Sequence, residues 1–182
     1  MEGIMARKKW LVLLVVFTVL LLGSAARLAA EFKIDIGVNV PYYIGVRAED
    51  DDIGDTLDWV FLVPDVKFNW LHDLGPVRLG GGARLWTFII QSMVYPILTA
   101  EADVGPFTFN TNVGGGLFLF FGLYNSIDTA GVVIPELTVA YRFSDRFSVG
   151  TGGLLVFAPE VADLSSFGYV GTVFARFTIR PD

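Results

Sequence analysis

Few residues of this chain could perform chemistry. His72 is the only histidine, cysteine is absent, and Asp73 directly follows His72. An imidazole beside a carboxylate could serve as a general base. The pair falls, however, in the stretch from His72 to Pro76, which predicts a tight turn with both side chains solvated. A lone histidine without thiols also argues against a transition-metal site. We therefore predict no catalytic residue, no metal and no cofactor.

The strongest acidic feature is the run from Glu49 to Asp55. Carboxylate oxygens are the ligands that Ca²⁺ and Mg²⁺ prefer, so this run could hold a divalent cation. It lacks the EF-hand pattern, because the twelfth position counted from Asp50 is Phe61 rather than a glutamate. The run favours a solvated loop and leaves open a divalent ion that joins the loop to lipid phosphates.

Two glycine triplets, Gly80 to Gly82 and Gly114 to Gly116, invite comparison with a phosphate-binding loop. Neither triplet opens a predicted helix, and neither is followed by the Lys-Ser or Lys-Thr pair of such a loop. Glycine within strands instead allows bends and close approach of two backbones. Nucleic acid is also a poor partner, since residues 31–182 carry nine Lys and Arg against eighteen Asp and Glu, a net charge of −9.

The first thirty residues have the pattern of a secretory signal peptide. Basic residues from Arg7 to Lys9 precede an apolar run from Trp10 to Leu22, and small residues follow from Gly23 to Ala26. The thirteen residues of this run are too few for a helix that crosses a hydrocarbon core about 30 Å thick. We predict cleavage near residues 25–30, with 31–182 as one mature domain, and an uncleaved anchor remains the alternative.

Beyond residue 30, apolar residues recur at every second position, which is the period of a β-strand. The clearest case runs from Phe32 to Val46, where the even-numbered positions are apolar and the intervening ones include Lys33 and Asp35. The same pattern predicts eight strands, at 32–47, 59–70, 77–89, 95–104, 107–121, 132–143, 147–157 and 167–179. Short turns alternate with longer joints between them, which is typical of transmembrane barrels.

All twelve charged residues of these strands fall in the phase opposite the apolar face. A soluble barrel would show the reverse arrangement, with its apolar residues inside. In hydrocarbon every backbone polar group needs a partner within the protein, so a sheet can span a membrane only when it is closed. The sequence therefore predicts an all-β fold, an eight-stranded antiparallel up-and-down transmembrane β-barrel preceded by a cleaved signal peptide. Aromatic residues at both strand ends predict two interfacial girdles.

The interior of this barrel is predicted to be divided into two parts. Toward the short turns we expect a structural network of charged residues, namely Asp65, Lys67, Arg78, Arg84, Glu101, Glu136, Arg142 and Arg176. Toward the loops we expect an apolar set, namely Trp59, Phe61, Trp86, Phe88, Phe118, Phe120 and Leu154. A barrel of eight strands is just wide enough for side chains or for one small ligand. The apolar set is therefore either part of a packed plug or the lining of a hydrophobic pocket.

With its signal peptide, strand count, alternation and turn stretches such as Val139-Ala-Tyr-Arg-Phe-Ser-Asp-Arg-Phe-Ser-Val-Gly150, the chain resembles the small eight-stranded outer-membrane barrels. These include the OmpA transmembrane domain and the OmpX-like and OmpW-like proteins. The resemblance implies a location in the bacterial outer membrane, contact with its lipid and with the insertion machinery, and a monomer. Such barrels often end with an aromatic residue, whereas this chain ends Pro181-Asp182, so Phe177 is the candidate for that signal.

Three functions remain as expectations. The first is a non-enzymatic envelope protein with a structural or surface-interaction role. The second is the binding or passage of a small hydrophobic molecule through an apolar pocket in the extracellular half of the barrel. A barrel enzyme that modifies lipid is the third.

Overall fold

The structure of the protein is a computed structural model that describes residues 30–48, 51–88, 90–129, 131–158 and 167–181. Apart from Ala30, the predicted signal peptide lies outside the described residues. Within them, no helix has the length and apolar character that a membrane crossing needs. The strands are β1 (Ala30–Ala48), β2 (Asp51–Thr56), β3 (Val63–Asp73), β4 (Val77–Thr87), β5 (Gln91–Val104), β6 (Phe107–Gly115), β7 (Phe118–Gly122), β8 (Ser126–Asp128), β9 (Val133–Arg142), β10 (Phe147–Val156) and β11 (Phe167–Ile179).

Eight of these strands form the wall of a closed barrel. Each pairs antiparallel with the next in the order β1, β3, β4, β5, β6, β9, β10 and β11, and β11 pairs with β1 to complete the ring. Neighbours in the ring are also successive wall strands along the chain, so the topology is up-and-down. Closure removes the edge strands that an open sheet would have. The predicted fold class of the barrel is confirmed.

The segment before β3 differs from the prediction of a strand over 59–70. Residues 51–56 fold back on the end of β1 as β2 and pair with it from Tyr43 to Ala48, although their acidic sequence predicts a loop. The chain then needs residues 57–62 to return to the wall, so β3 begins only at Val63. Trp59 and Phe61 consequently lie in the connection between β2 and β3 rather than in a wall strand.

The predicted strand 107–121 is broken in the middle. Gly115 and Gly116 have φ of 118° and 80°, in the region that glycine adopts without steric cost. The chain therefore leaves the ladder with β9 at Gly115, resumes as β7 beside the start of β5, and turns back as β8. This glycine triplet is a break in the wall, in keeping with its interpretation as a backbone device.

A bulge between Pro41 and Tyr43 reverses the facing of the last residues of β1. Before the bulge, Pro41 pairs with the buried Thr172, which faces the interior. After it, Tyr43 pairs with Gly171, which lies on the outward face of β11. The single alternation predicted for this strand is therefore wrong beyond Pro41, because one extra residue shifts the side-chain phase by one position.

The two faces of the wall differ in polarity. Outward-facing large apolar side chains at least 36% exposed include Ile36, Val38, Phe68, Trp70, Leu79, Leu98, Phe107, Phe109, Val113, Leu137, Tyr141, Phe147, Val149, Val173, Phe177 and Ile179. Soluble monomers rarely expose contiguous apolar surface on this scale, whereas hydrocarbon around a closed sheet accounts for it. Aromatic pairs lie at both ends of the wall, such as Phe32 with Trp70 and Phe167 with Tyr169, with ring centroids 4.8 and 6.1 Å apart.

The close approach of β3 and β4 gives a first prediction. A Cβ atom at Gly82 would overlap the carbonyl oxygen of Phe68, a main-chain atom that can move only with its strand. We expect Gly82→Ala to lower the free energy of unfolding by about 1–3 kcal/mol, the usual cost of overpacking. The measurement is the urea midpoint of the barrel folded in lipid vesicles.

Gly153→Ala is the matched control for this substitution. Its added methyl group would meet only the carbonyl oxygen of Val170, at the ordinary contact distance of 3.6 Å. Equal midpoints for the two variants would show that the β3–β4 approach tolerates a side chain.

Candidate functional site

The middle of the lumen holds four buried charged side chains, Asp65, Lys67, Arg84 and Glu136, which we call the central cluster. Glu136 Oε2 accepts a hydrogen bond from Lys67 Nζ at 2.7 Å and lies 3.0 Å from Arg84 Nη1. Arg84 also reaches Asp65, with Nε donating to Oδ2 at 3.1 Å. All four are at most 4% exposed, so each charge depends on its partners rather than on water.

A second group of charges lies nearer the short turns, and we call it the short-turn cluster. It consists of Lys33, Asp35, Arg78, Glu101, Asp103 and Arg142. Glu101 lies between Lys33 Nζ at 2.6 Å and Arg78 Nη2 at 2.7 Å. Asp103 pairs with Arg78 and, at 3.2 Å, with Arg142. This cluster is more hydrated toward its end, where the Asp103 and Arg142 side chains are 28% and 33% exposed.

Two buried amides connect the clusters. Asn112 Nδ2 lies 2.6 Å from Glu136 Oε2 and 2.7 Å from Asn110 Oδ1, and Asn110 Nδ2 lies 3.3 Å from Glu101 Oε2. The Thr99 hydroxyl is 2.8 Å from the side-chain oxygen of Asn112. The side-chain amides of Asn110 and Asn112 thus connect Glu101 to Glu136 through hydrogen bonds. These bonds give the two carboxylates additional donors beyond those of their ion pairs.

The structure brings together seven of the eight charged residues assigned to the network from the sequence. Arg176 is the exception, because it lies within 4 Å of no carboxylate in the described part of the chain. Its guanidinium instead stacks on Phe174, with Cζ 4.5 Å from the ring centroid. Arg176 is only 7% exposed, and its Nε and Nη2 atoms have no hydrogen-bond partner among the described residues.

The upper lumen, toward the loops, is filled by apolar side chains. Its fully buried members are Tyr95, Ile97, Phe118, Ile134 and Leu154, with Trp86, Met93, Phe120, Val132 and Val170 packed against them. Arg84 Cζ lies 4.5 Å from the Trp86 ring centroid, so a cation–π contact joins this layer to the central cluster. The apolar layer therefore lies directly on the charged one.

The predicted apolar set divides into two parts in the structure. Phe118 and Leu154 lie in the buried layer, and Trp86 and Phe120 lie at its edge. The other three residues, Phe88, Phe61 and Trp59, form a row of aromatic rings that extends from Trp86 toward the loop rim. The ring centroids lie 6.2 Å apart for Trp86 and Phe88, 6.1 Å apart for Phe88 and Phe61, and 5.4 Å apart for Phe61 and Trp59. Trp59 is 60% exposed, so this row of rings runs from the lumen into solvent.

One buried lumen residue, Phe174 at 3% exposure, was missing from the prediction. Lys33 and Asp35 in the short-turn cluster and Tyr95 in the apolar layer lie inside, as the phase of their strands predicts. The signal for Phe174 was also present, since it occupies an inward position of an alternating strand. Which layer of the lumen such a residue joins depends on its position along the barrel axis, and the alternation of side chains alone does not give that position.

The remaining sequence candidates lie at the rims. His72 and Asp73 end β3 rather than forming a turn, and Asp73 Oδ1 accepts a hydrogen bond from Gly75 N at 2.8 Å, which stabilises the turn that follows. In the acidic run, Asp52 Oδ1 accepts a hydrogen bond from the Tyr169 hydroxyl at 2.6 Å. Among the described residues no group of three or more His, Asp or Glu side chains could hold a metal ion.

A closed eight-stranded meander with an apolar outer face and a charged lumen is the architecture of a small outer-membrane β-barrel. No protein-family model matches the sequence, and no curated protein matches it significantly.

Three solved structures are similar in shape. Neisserial surface protein A is 10% identical with a TM-score of 0.46, over 80% of this chain and 96% of that one. Ail, the attachment invasion locus protein of Yersinia pestis in complex with the heparin analogue sucrose octasulfate, is 10% identical with a TM-score of 0.33, over 82% and 99%. The outer membrane protein OprG from Pseudomonas aeruginosa is 9% identical with a TM-score of 0.37, over 85% and 98%.

The central cluster gives a second prediction. Glu136→Gln keeps the shape of the side chain but leaves Lys67 and Arg84 without their shared carboxylate. We expect the free energy of unfolding to fall by about 3–5 kcal/mol, the usual cost of removing one partner from a buried ion pair. The urea midpoint in lipid vesicles measures this loss.

Asp128→Asn is the control, because Asp128 is exposed in β8 and the change removes the same charge. The central role of Glu136 is contradicted if both variants shift the midpoint equally.

Proposed function

We propose that this protein is a non-enzymatic monomeric barrel of the bacterial outer membrane whose role is to present a surface at its loop rim. The observation that carries the proposal is the filled lumen. The central cluster closes its middle with side chains at most 4% exposed, and the apolar layer packs directly above it. A barrel plugged in this way is better suited to structural support or surface contact than to open aqueous conduction.

The loop rim supports the surface role. Its large apolar side chains are unusually exposed for a surface in water, between 54% and 79%, and they are Ile53, Trp59, Val60, Leu62, Ile90, Leu123, Tyr124 and Ile127. Large apolar side chains exposed to water mark interaction sites on proteins when they lie together on one surface. Hydrophobic contact with a partner molecule or with another cell surface would cover them.

A third prediction tests the rim. Cells that display the full-length protein should bind phenyl-coated beads, and the double variant Trp59→Ser with Leu123→Ser should bind several-fold less. The physical reason is the loss of two exposed apolar side chains from the only rim that faces outward in the proposed orientation.

The matched control is Leu74→Ser with Val104→Ser. These residues are 51% and 62% exposed at the opposite, short-turn rim, so their loss should leave bead binding unchanged at equal surface expression. If both double variants behave like the native protein, the loop rim is not an adhesive surface.

A second candidate function is the binding of a small hydrophobic molecule in the upper lumen. The row of rings from Trp59 to Trp86 favours it, because it leads from solvent to the buried layer. Trp86 Nε1 and Tyr95 Oη are buried without a hydrogen-bond partner among the described residues. A ligand with an apolar body and one polar group would satisfy both features.

A fourth prediction tests this candidate with 1-octanol, added to the native barrel while its amide resonances are recorded. Saturable shifts should centre on Phe118 and Leu154. Trp86→Ala and Phe118→Ala should each weaken binding about tenfold, because a buried aromatic contact is lost. Phe109→Ala is the control, since Phe109 faces the lipid. If 1-octanol binds equally to all three variants, the upper lumen is not a binding pocket, and its apolar side chains are a packed plug.

A further inference from the structure

A small cavity lies inside the barrel at its short-turn end, below the central cluster. Its volume is about 30 Å³, which is more than the space that one water molecule needs. Its inner wall includes Arg176, Thr138, Ala140 and Ser148, and residues of the short turn from Ser144 to Phe147 form its mouth. The cavity is therefore accessible from the aqueous side of the short turns.

The lining of this cavity is predominantly cationic. Six basic side chains line it, against three carboxylates, and the six are Lys33, Arg78, Arg142, Arg146, Arg176 and Arg180. Four of them are engaged in ion pairs with Glu101, Asp103, Asp35 or Glu31. Arg146 and Arg176 are not, within the part of the chain that the structure describes. The electrostatic potential in the cavity is therefore expected to favour an anion.

Arg176 is the group that makes this cavity a built site rather than a basic patch. The residue is only 7% exposed, and its Nε and Nη2 atoms are buried and lack partners among the described residues. A buried guanidinium with unused donors is costly unless an acceptor satisfies it. Ser148 pairs directly with Arg176 across the β10–β11 ladder, which places its hydroxyl beside the same space.

We propose that this cavity is a binding site for a single chloride ion, held by the guanidinium of Arg176 and the hydroxyl of Ser148. The cavity has room for about one or two water-sized species, which suits a small anion such as chloride. Chloride would be the direct hydrogen-bond acceptor that the Arg176 Nε and Nη2 atoms lack among the described residues, and it accepts hydrogen bonds from several donors at once. The proposal rests on the lumen geometry and is independent of the role of the loop rim.

The test is the ³⁵Cl resonance of chloride added to the full-length protein, purified from membranes in an uncharged detergent. The native barrel should broaden the line in a saturable way that bromide reverses. Arg176→Gln should reduce the affinity about tenfold or more, because a charged hydrogen-bond donor is removed. Ser148→Val keeps every charge, replaces the hydroxyl donor with methyl groups that narrow the cavity, and should also abolish the broadening.

Arg47→Gln is the control, because it removes the same charge from an exposed position at the opposite end of the barrel. It should retain native broadening. If Arg176→Gln does not fold, Ser148→Val and an anomalous bromide peak beside Arg176 in crystals of the native protein decide the question. The proposal is overturned if the native barrel shows no saturable broadening, which would leave water in the cavity, or if Ser148→Val broadens the line as the native protein does.

Discussion

The pairing of Glu136 with Arg84 and Lys67 is the interaction on which the interior of this barrel depends. The apolar wall forces charged side chains inward, and a closed barrel of eight strands leaves them little room for water. Four buried basic residues, Lys33, Lys67, Arg84 and Arg176, accompany four buried carboxylates, Asp35, Asp65, Glu101 and Glu136. Burial of any one alone would cost several kcal/mol, so the cluster has to form as a whole when the strands close.

Close packing around this cluster depends on small residues elsewhere in the wall. Gly80 and Gly82 allow β4 to approach the carbonyl oxygens of β3, which brings Lys67 opposite Arg84 in the ladder. Like charges that face each other in this way are unfavourable by themselves. They are tolerated because Glu136 lies between them and contacts both. The β3–β4 approach and the carboxylate of β9 therefore support the same arrangement from opposite sides.

The sequence predicts which face of the barrel wall a residue occupies better than it predicts which residues that side chain contacts. Alternation placed Lys67 and Glu136 in the interior correctly, because a charge on the lipid side is excluded on energetic grounds. It did not predict that these two residues, 69 positions apart, would meet, since contact depends on strand register and on height in the barrel. The bulge at Pro41 and the break at Gly115 were not predicted from the sequence, for a related reason. The bulge shifts the pairing of β1 with β11 by one residue, and the break shifts pairing with β5 by two residues, which leaves the alternation of apolar side chains along the sequence unchanged.

The distribution of polarity along the lumen explains why its two ends would serve different purposes. The cation–π contact of Arg84 with Trp86 marks the level at which charge gives way to rings, and above it the aromatic row continues to the exposed Trp59. Below it, each of the other buried charges has a partner of opposite charge within 4 Å, and Arg176 is the buried charge that has none among the described residues. A fold that satisfies every other buried ion at short range retains this arginine beside a cavity with an aqueous opening. That combination is expected of a binding site, because a purely structural cation would be stabilised more simply by one more carboxylate in the wall.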